Sequence, residues 1–323
     1  MSMPLAQGRP GRANRSDALF RVSTGAVAVL VIAMVVGIGL VLASDSMLSI
    51  RKFGLRFWMT RTWDPVAGDF GALPFIWGTL YSSVLALLIS TPIALGIAIF
   101  LSELCPHALR QPLAFLTELL AAIPSIVYGL WGIFVLAPAV RALEVHTPGF
   151  LRGLPLFSGP PLGVGMLAAA LVLAVMVIPF SAAVSREILK AVPITQREAA
   201  YALGATPWEA IQLALFYGRT GIMGAIMLGF GRALGETMAV TMVIGNNPQV
   251  SLSLFAPQHT MAAVIANEFT EAADALYLNA LVEIGLVLFL ITVAINALSR
   301  LLIWRVGRLR ARTIASREAA LAA

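Results

Sequence analysis

The chain is short of charge. Asp, Glu, Lys and Arg make up 12% of its 323 residues, about half of the roughly 25% usual in soluble domains, while 59% are hydrophobic and the mean hydropathy is +0.89. Such a composition cannot build the polar shell of a soluble enzyme, so an integral membrane protein is expected. Cysteine is nearly missing too. Cys105 stands alone, which excludes an intramolecular disulfide and a thiolate metal cluster. His107, His146 and His259 lie far apart without ligand spacing, so no metal site is expected. No Gly-x4-Gly-Lys-Ser/Thr loop exists, and Gly231-Arg-Ala-Leu-Gly-Glu-Thr237 has no lysine where a phosphate loop needs one. No cofactor is therefore expected on this chain; if ATP drives it, ATP and Mg belong to another subunit. The net charge of +6 does not imply nucleic acid, because the basic residues sit beside apolar runs rather than among aromatics on a polar surface. No Ser/Lys, paired-Asp or metal-ligand arrangement suggests an intramembrane enzyme.

What is abundant is apolar sequence in blocks. After a polar tail, residues 1–23, six spans are predicted at about 24–43, 78–101, 113–140, 163–183, 222–244 and 276–303, followed by a basic tail, 304–323. Each is long enough to cross a bilayer at 1.5 Å per residue. Placing both termini in the cytoplasm puts fifteen basic residues inside and six outside, with Arg232 in the fifth span counted on neither side. Four of those outside, Arg51, Lys52, Arg56 and Arg61, alternate with Ile50, Phe53, Leu55, Phe57 and Trp58, a pattern that predicts a segment lying apolar side down on the outer membrane surface. Residues 141–162 and 246–275 read as external loops. Pro124 within the third span frees a backbone carbonyl and predicts a bent helix, a candidate gate.

Residues 186–218 form the longest polar-rich interruption. Ala, Leu, Glu and Gln flank Gly204, so two short helices are predicted, with Gly204 left-handed at the end of the first and Pro207 in the opening turn of the second. The product is a hairpin at the membrane surface.

Inside the membrane, Arg232 lies midway along the fifth span, where insertion costs about 2.5–3.5 kcal/mol. Glu236 is four residues on and shares its face in a continuous helix. Two readings stand. The pair can be a structural salt bridge, worth around 4 kcal/mol at 4 Å and a dielectric near 20. Alternatively Arg232 faces a translocation path and offers an anion its planar fork of donors, with Glu236 or Glu283 holding it in place. Ser125, Tyr128, Thr237 and Thr241 can present hydroxyls to the same anion or bond backbone carbonyls. Gly231 and Gly235 allow a neighbouring helix to approach closely.

Glu198-Ala-Ala, three residues, then Gly204 resembles the signature loop of bacterial ABC importer permeases, although the family's later Ile-x-Leu-Pro is replaced around Ala214, Phe216 and Tyr217. Gly231-Arg-Ala-Leu-Gly-Glu-Thr-Met-Ala-Val240 and Leu119-Leu-Ala-Ala-Ile-Pro-Ser-Ile-Val-Tyr-Gly129, with Trp63-Asp64 and Gly71-Ala-Leu73, further resemble the phosphate-specific permeases of the binding-protein-dependent, MetI-like family. The resemblance implies an all-α, six-transmembrane type I ABC importer permease with a cytoplasmic coupling hairpin. It implies phosphate import, with a periplasmic phosphate-binding protein, a homologous permease subunit and an ATPase dimer as partners. It places Arg232 and Glu236 in the path, together with the candidates Glu283, Ser125, Tyr128 and Thr237, and Glu198, Ala199, Ala200, Gly204, Ala205 and Trp208 at the ATPase contact. Another oxyanion (sulfate, molybdate, phosphonate) is the alternative cargo, since the docking loop is common to many importers. A sensor or scaffold without transport is the alternative class, although no extended soluble signalling segment is present.

Overall fold

The computed structural model describes residues 15–321, with side chains from 18 to 305. Residues 1–14 of the expected polar tail and the side chains of the basic tail beyond residue 305 lie outside the described residues. Helices make up nearly all of the rest. They are α1 (Arg15–Asp45), α2 (Met47–Phe53) running into a 3-10 turn (Gly54–Trp58), and α3 (Leu73–Ile99) extended by a π-helical turn (Phe100–Leu104). Next come α4 (His107–Ala121), α5 (Ser125–Trp131), a π-helical turn (Gly132–Leu136), α6 (Ala137–His146) and α7 (Gly149–Arg152). Then follow α8 (Met166–Lys190), α9 (Ile194–Ala202), α10 (Pro207–Leu234), α11 (Met238–Val243), α12 (Met261–Glu268) and α13 (Ala275–Leu321). Six stretches are long and apolar enough to cross a membrane: Ala18–Asp45, Leu73–Leu104, Ser125–His146, Met166–Lys190, Pro207–Leu234 and Ala275–Arg305.

The centre of the bundle is α8. Ala168, Ala169, Ala170 and Val172 have no exposed surface, and small side chains on this face let α3 pack close along its length. One core joins α8 to α3, α5 and α11 through Ala86, Tyr128, Val172, Leu173, Ala239 and Val243. At the end of the bundle that carries α9, Ala98, Leu189, Val192, Ala214 and Ile222 form a smaller core; we call this the hairpin end. α1 stays outside the bundle, touching α13 where Gly39 faces the Phe289 ring, and leaves most of its apolar residues exposed on the outside of this chain.

Three elements differ from the sequence reading. The third span is interrupted: α4 stops at Ala121, and Pro124 is extended (φ −58, ψ 139). Proline has no N–H to give to Leu120, and the Tyr128 hydroxyl donates to that carbonyl at 2.8 Å, beside the Ile123 N–H at 3.3 Å. The fifth span begins within the hairpin, because α10 runs unbroken from Pro207 to Leu234. Tyr217 stands inside it where the family pattern has proline, so nothing interrupts the ladder there.

The segment from Arg51 to Trp58 packs its apolar side on protein, where the alternation predicted lipid. Phe57 is fully buried in a cluster with Phe70, Phe75, Met261 and Leu281, and Phe53 and Trp58 pack against it. Trp63 stands edge-on to Phe70 and Phe75, with centroids 4.9 Å apart in each case. Leu55 is left 87% exposed, and Arg51, Lys52, Arg56 and Arg61 are exposed beside it.

Candidate functional site

Two helix breaks meet beside α8. In the first, α4 gives way to α5 at Pro124. In the second, α10 ends at Leu234, Gly235–Thr237 is non-helical, and α11 starts at Met238. The short helices α5 and α11 pack directly on one another through Gly129, where a Cβ would lie 2.6 Å from the Met242 sulfur and 3.1 Å from the Ala239 Cα. Glycine at 129 lets the two broken helices approach this closely; any side chain there would displace Met242 and press on the α11 backbone. Interrupted helices whose ends converge within a bundle are the usual way to present backbone dipoles to an ion at membrane depth.

Arg232 sits in the last turn of α10, where a cation complements the negative end of the helix. Its side chain is exposed on the surface of this chain. The guanidinium lies 5.8 Å from the centroid of the Phe180 ring, halfway along α8. Tyr128 is within its electrostatic reach. Among the described residues no carboxylate forms an ion pair with Arg232. The helical register that would set Glu236 one turn above it is broken at Gly235. Glu236 turns the other way, and its Oε1 accepts from the Ala239 N–H at 3.4 Å, capping α11. The local cap replaces the i,i+4 salt bridge.

The remaining candidates divide. The Thr237 hydroxyl donates to the Gly235 carbonyl at 3.3 Å and that of Thr241 to the Thr237 carbonyl at 2.8 Å. Ser125 opens α5 at the first break, half-exposed, and makes no hydrogen bond to the described residues. Glu283 is elsewhere. It is 3% exposed on α13, facing Ser49 of α2. α13 meets α10 at Ile303 and Gly224, where a Cβ on the glycine would lie 3.8 Å from the Ile303 Cδ1. Counting from that crossing at 1.5 Å per residue, Glu283 lies about 18 Å beyond the level of Arg232 and does not hold it.

The hairpin follows from local chemistry. α9 ends at Ala202, and Gly204 takes φ +83 with open space around its Cβ position. Thr206 then caps α10 in a capping box with Glu209, and Pro207 fills the first position. Ala199, Ala200, Gly204 and Ala205 line a groove of about 480 Å³ together with Leu203. Glu198 and Trp208 are exposed beside it. Ile194 is 67%, Leu203 90% and Trp208 57% exposed, an apolar surface that calls for a partner.

One residue carries more than its sequence position suggested. Arg197 makes a two-pronged ion pair with Glu103, at 2.7 and 3.1 Å, and also donates to the carbonyls of Leu189 and Val192 at 2.8 and 2.9 Å. Both side chains are largely buried, at 17% and 14% exposure. α9 is thereby fastened to the π-helical end of α3 and the last turn of α8. The partners are 94 residues apart, so no local pattern announces the pair.

The family described as binding-protein-dependent transport system inner membrane component matches residues 94–308. The phosphate transport system permease protein PstC of Mesorhizobium japonicum is 46% identical over 297 residues, covering 90% of this chain and 91% of that one. The protein of the same name from Haemophilus influenzae is 47% identical over 293 residues, covering 89% and 93%. A structure of the MetNI methionine ABC transporter in inward facing conformations superposes with a TM-score of 0.55 at 18% identity, covering 72% of this chain and 94% of that one. It shows the fold, that of a type I ABC importer permease. The interrupted bundle, the exposed hairpin and these likenesses agree that the chain belongs to the binding-protein-dependent transport system inner membrane components, among the PstC permeases, and is a multi-pass permease subunit of the inner membrane.

Proposed function

We propose that the chain forms one half of the pore of an ATP-driven importer of inorganic phosphate. A homologous, PstA-like permease supplies the other half, a PstS-like periplasmic protein delivers the anion, and a PstB-like ATPase dimer, holding ATP and Mg, engages the hairpin. Both termini lie in the cytoplasm. The observation that carries this reading is Arg232: a guanidinium halfway along the bundle, at the junction of two broken helices, exposed on the face of this chain and with no carboxylate paired to it among the described residues. An uncompensated arginine at this depth needs an aqueous path or an anion, and its planar fork matches phosphate oxygens in pairs. Glu236 keeps the α11 end of the site in shape, and Ser125 offers a hydroxyl at the α5 end. Glu198, Ala199, Ala200, Gly204, Ala205 and Trp208 make the ATPase contact.

The test is uptake of radiolabelled phosphate into vesicles holding the complete transporter and ATP. Arg232→Gln is expected to leave assembly intact and to lower uptake at least about a hundredfold, as the loss of two charge-assisted hydrogen bonds would. Loss of assembly instead would return Arg232 to a structural role. Uptake abolished by sulfate or molybdate, with unlabelled phosphate failing to compete, would sink the phosphate assignment.

A further inference from the structure

Between the first turns of α4 and the last turn of α8 lies a cavity of about 790 Å³, within the range that holds small ligands. Arg110, Arg186 and Lys190 line it, with His107 and Gln111 as further polar groups and Glu118 as the one carboxylate of its wall among the described residues. Arg186 is the fixed part. Its side chain is 7% exposed and its Nη2 lies 2.9 Å from Glu118 Oε1 and 2.7 Å from Glu187 Oε1. The two carboxylates are themselves 55% and 60% exposed, so much of their charge is spent on water.

Arg110 is not committed in this way. It has no carboxylate within ion-pair distance among the described residues. Among the described residues its Nε is buried without a hydrogen-bond partner, and its Nη2 donates to the Cys105 carbonyl at a long 3.4 Å. Lys190 is 42% exposed and shares Glu187 with Arg186. The positive end of α4, which begins at His107, opens at the same place.

This cavity is distinct from the site at Arg232. Arg186 follows Phe180, the residue beside Arg232, by six positions on α8, which displaces it by about 9 Å and turns it by about 240° about the helix axis. A guanidinium with spare donors, an ammonium and a helix start together suit an acceptor-only group with several oxygens. The volume is more than a bare anion fills, and exposed Phe115 and Pro112 add an apolar flank.

We propose that this cavity is a second oxyanion site, at the hairpin end of the chain, that takes a phosphate group through Arg110 and Lys190 with Arg186 as its fixed wall. The group can be inorganic phosphate from the cytoplasm or the headgroup of an anionic lipid in the adjoining leaflet; basic pockets between helices at this level suit both. The complete transporter, purified in neutral detergent without binding protein, is dialysed against ³²P-phosphate. In parallel, native mass spectrometry counts phosphatidylglycerol retained from anionic micelles. Both arms are run in the Arg232→Gln background, which takes away the mid-bundle phosphate site and leaves the ligand of the cavity to be counted. Arg110→Gln with Lys190→Gln is expected to weaken binding of one ligand at least about tenfold, and which one weakens identifies the source. Lys190→Gln alone removes a half-exposed charge and serves as the variant that keeps the fold, with a smaller effect in the same direction. If the Arg232→Gln parent binds neither ligand here, or if the further variants bind both as that parent does, the proposal fails. Neither arm depends on transport through Arg232.

Discussion

A Cβ at residue 78 would fall on the carbonyl oxygen of His259, so glycine is needed there for α3 to lie against the segment that leads into α12. His259 is 2% exposed. Its Nδ1 accepts from the Thr260 N–H at 3.1 Å, which leaves the ring proton on Nε2, and Phe75 stands edge-on to it at 5.4 Å. Burial pushes the imidazole down from 6.5 to about 4. The unfolded chain takes up this proton near pH 6.5 and the native protein only near pH 4. Its contribution to stability is therefore complete above pH 6.5 and is lost as the pH falls through that window, with a slope approaching about 1.4 kcal/mol per pH unit. We expect the thermal midpoint in detergent to fall between pH 7.5 and 5, and to fall less in His259→Gln. Equal slopes for the two proteins would remove His259 as the cause. None of this was legible in the sequence, where His259 was merely a histidine without ligand spacing. Its burial depends on a glycine 181 positions earlier in the chain, on α3.

At the scale of elements, what was read correctly was local. Gly204 and Pro207 specify their turn within four residues. Gly204→Val would force a branched side chain into φ +83, at a cost of about 1–2 kcal/mol. With no neighbour to clash, the damage is to the hairpin's backbone and not to its packing. Phosphate-stimulated ATP hydrolysis should then fall in Gly204→Val while the bundle stays folded, and unchanged hydrolysis would count against the docking role. The Arg197–Glu103 pair makes the complementary prediction. Arg197→Ala leaves Glu103 buried and unpaired, for a loss of about 3–5 kcal/mol. Replacing both by leucine should recover much of it. Amide exchange in α9 is the measurement, and exchange in the single variant no faster than in wild type would show that the pair is idle.

What was misread depended on a competing partner. The spacing of Arg232 and Glu236 favours a salt bridge only in a continuous helix, and the bond from the Ala239 N–H to Glu236 broke that premise. The alternation of basic and aromatic residues from Arg51 to Trp58 shows a two-sided segment. It does not say whether the apolar side meets lipid or protein, and Phe70, Phe75 and Met261 decided that.

For the whole molecule, six apolar runs are visible in composition alone, which is why the fold class was readable from the outset. The arrangement of the runs was not, because alanines on α8 and glycines such as Gly129 act only through residues distant in sequence. The lone thiol, Cys105, is 3% exposed, so a cysteine introduced at Ala200 is expected to be the reactive one. It should cross-link to the ATPase in the assembled transporter and not in its absence. Labelling at Cys105 in preference would show that the hairpin end is packed differently.

α10 gives the transporter a mechanical property. It is 28 residues without interruption, about 42 Å of one rigid body, with Trp208 near one end and Arg232 near the other. The two residues are about 36 Å apart, so a tilt of 5° pivoting at the hairpin swings the guanidinium by about 3 Å, the length of a hydrogen bond. The lever needs no intermediate joint between the hairpin and Arg232, since the proline that would have supplied one is Tyr217 here. It also works in reverse. On the proposed function, an anion that prefers one tilt of Arg232 must bias the hairpin by the same free energy, so cargo bound there is felt at the hairpin before any ATP is spent.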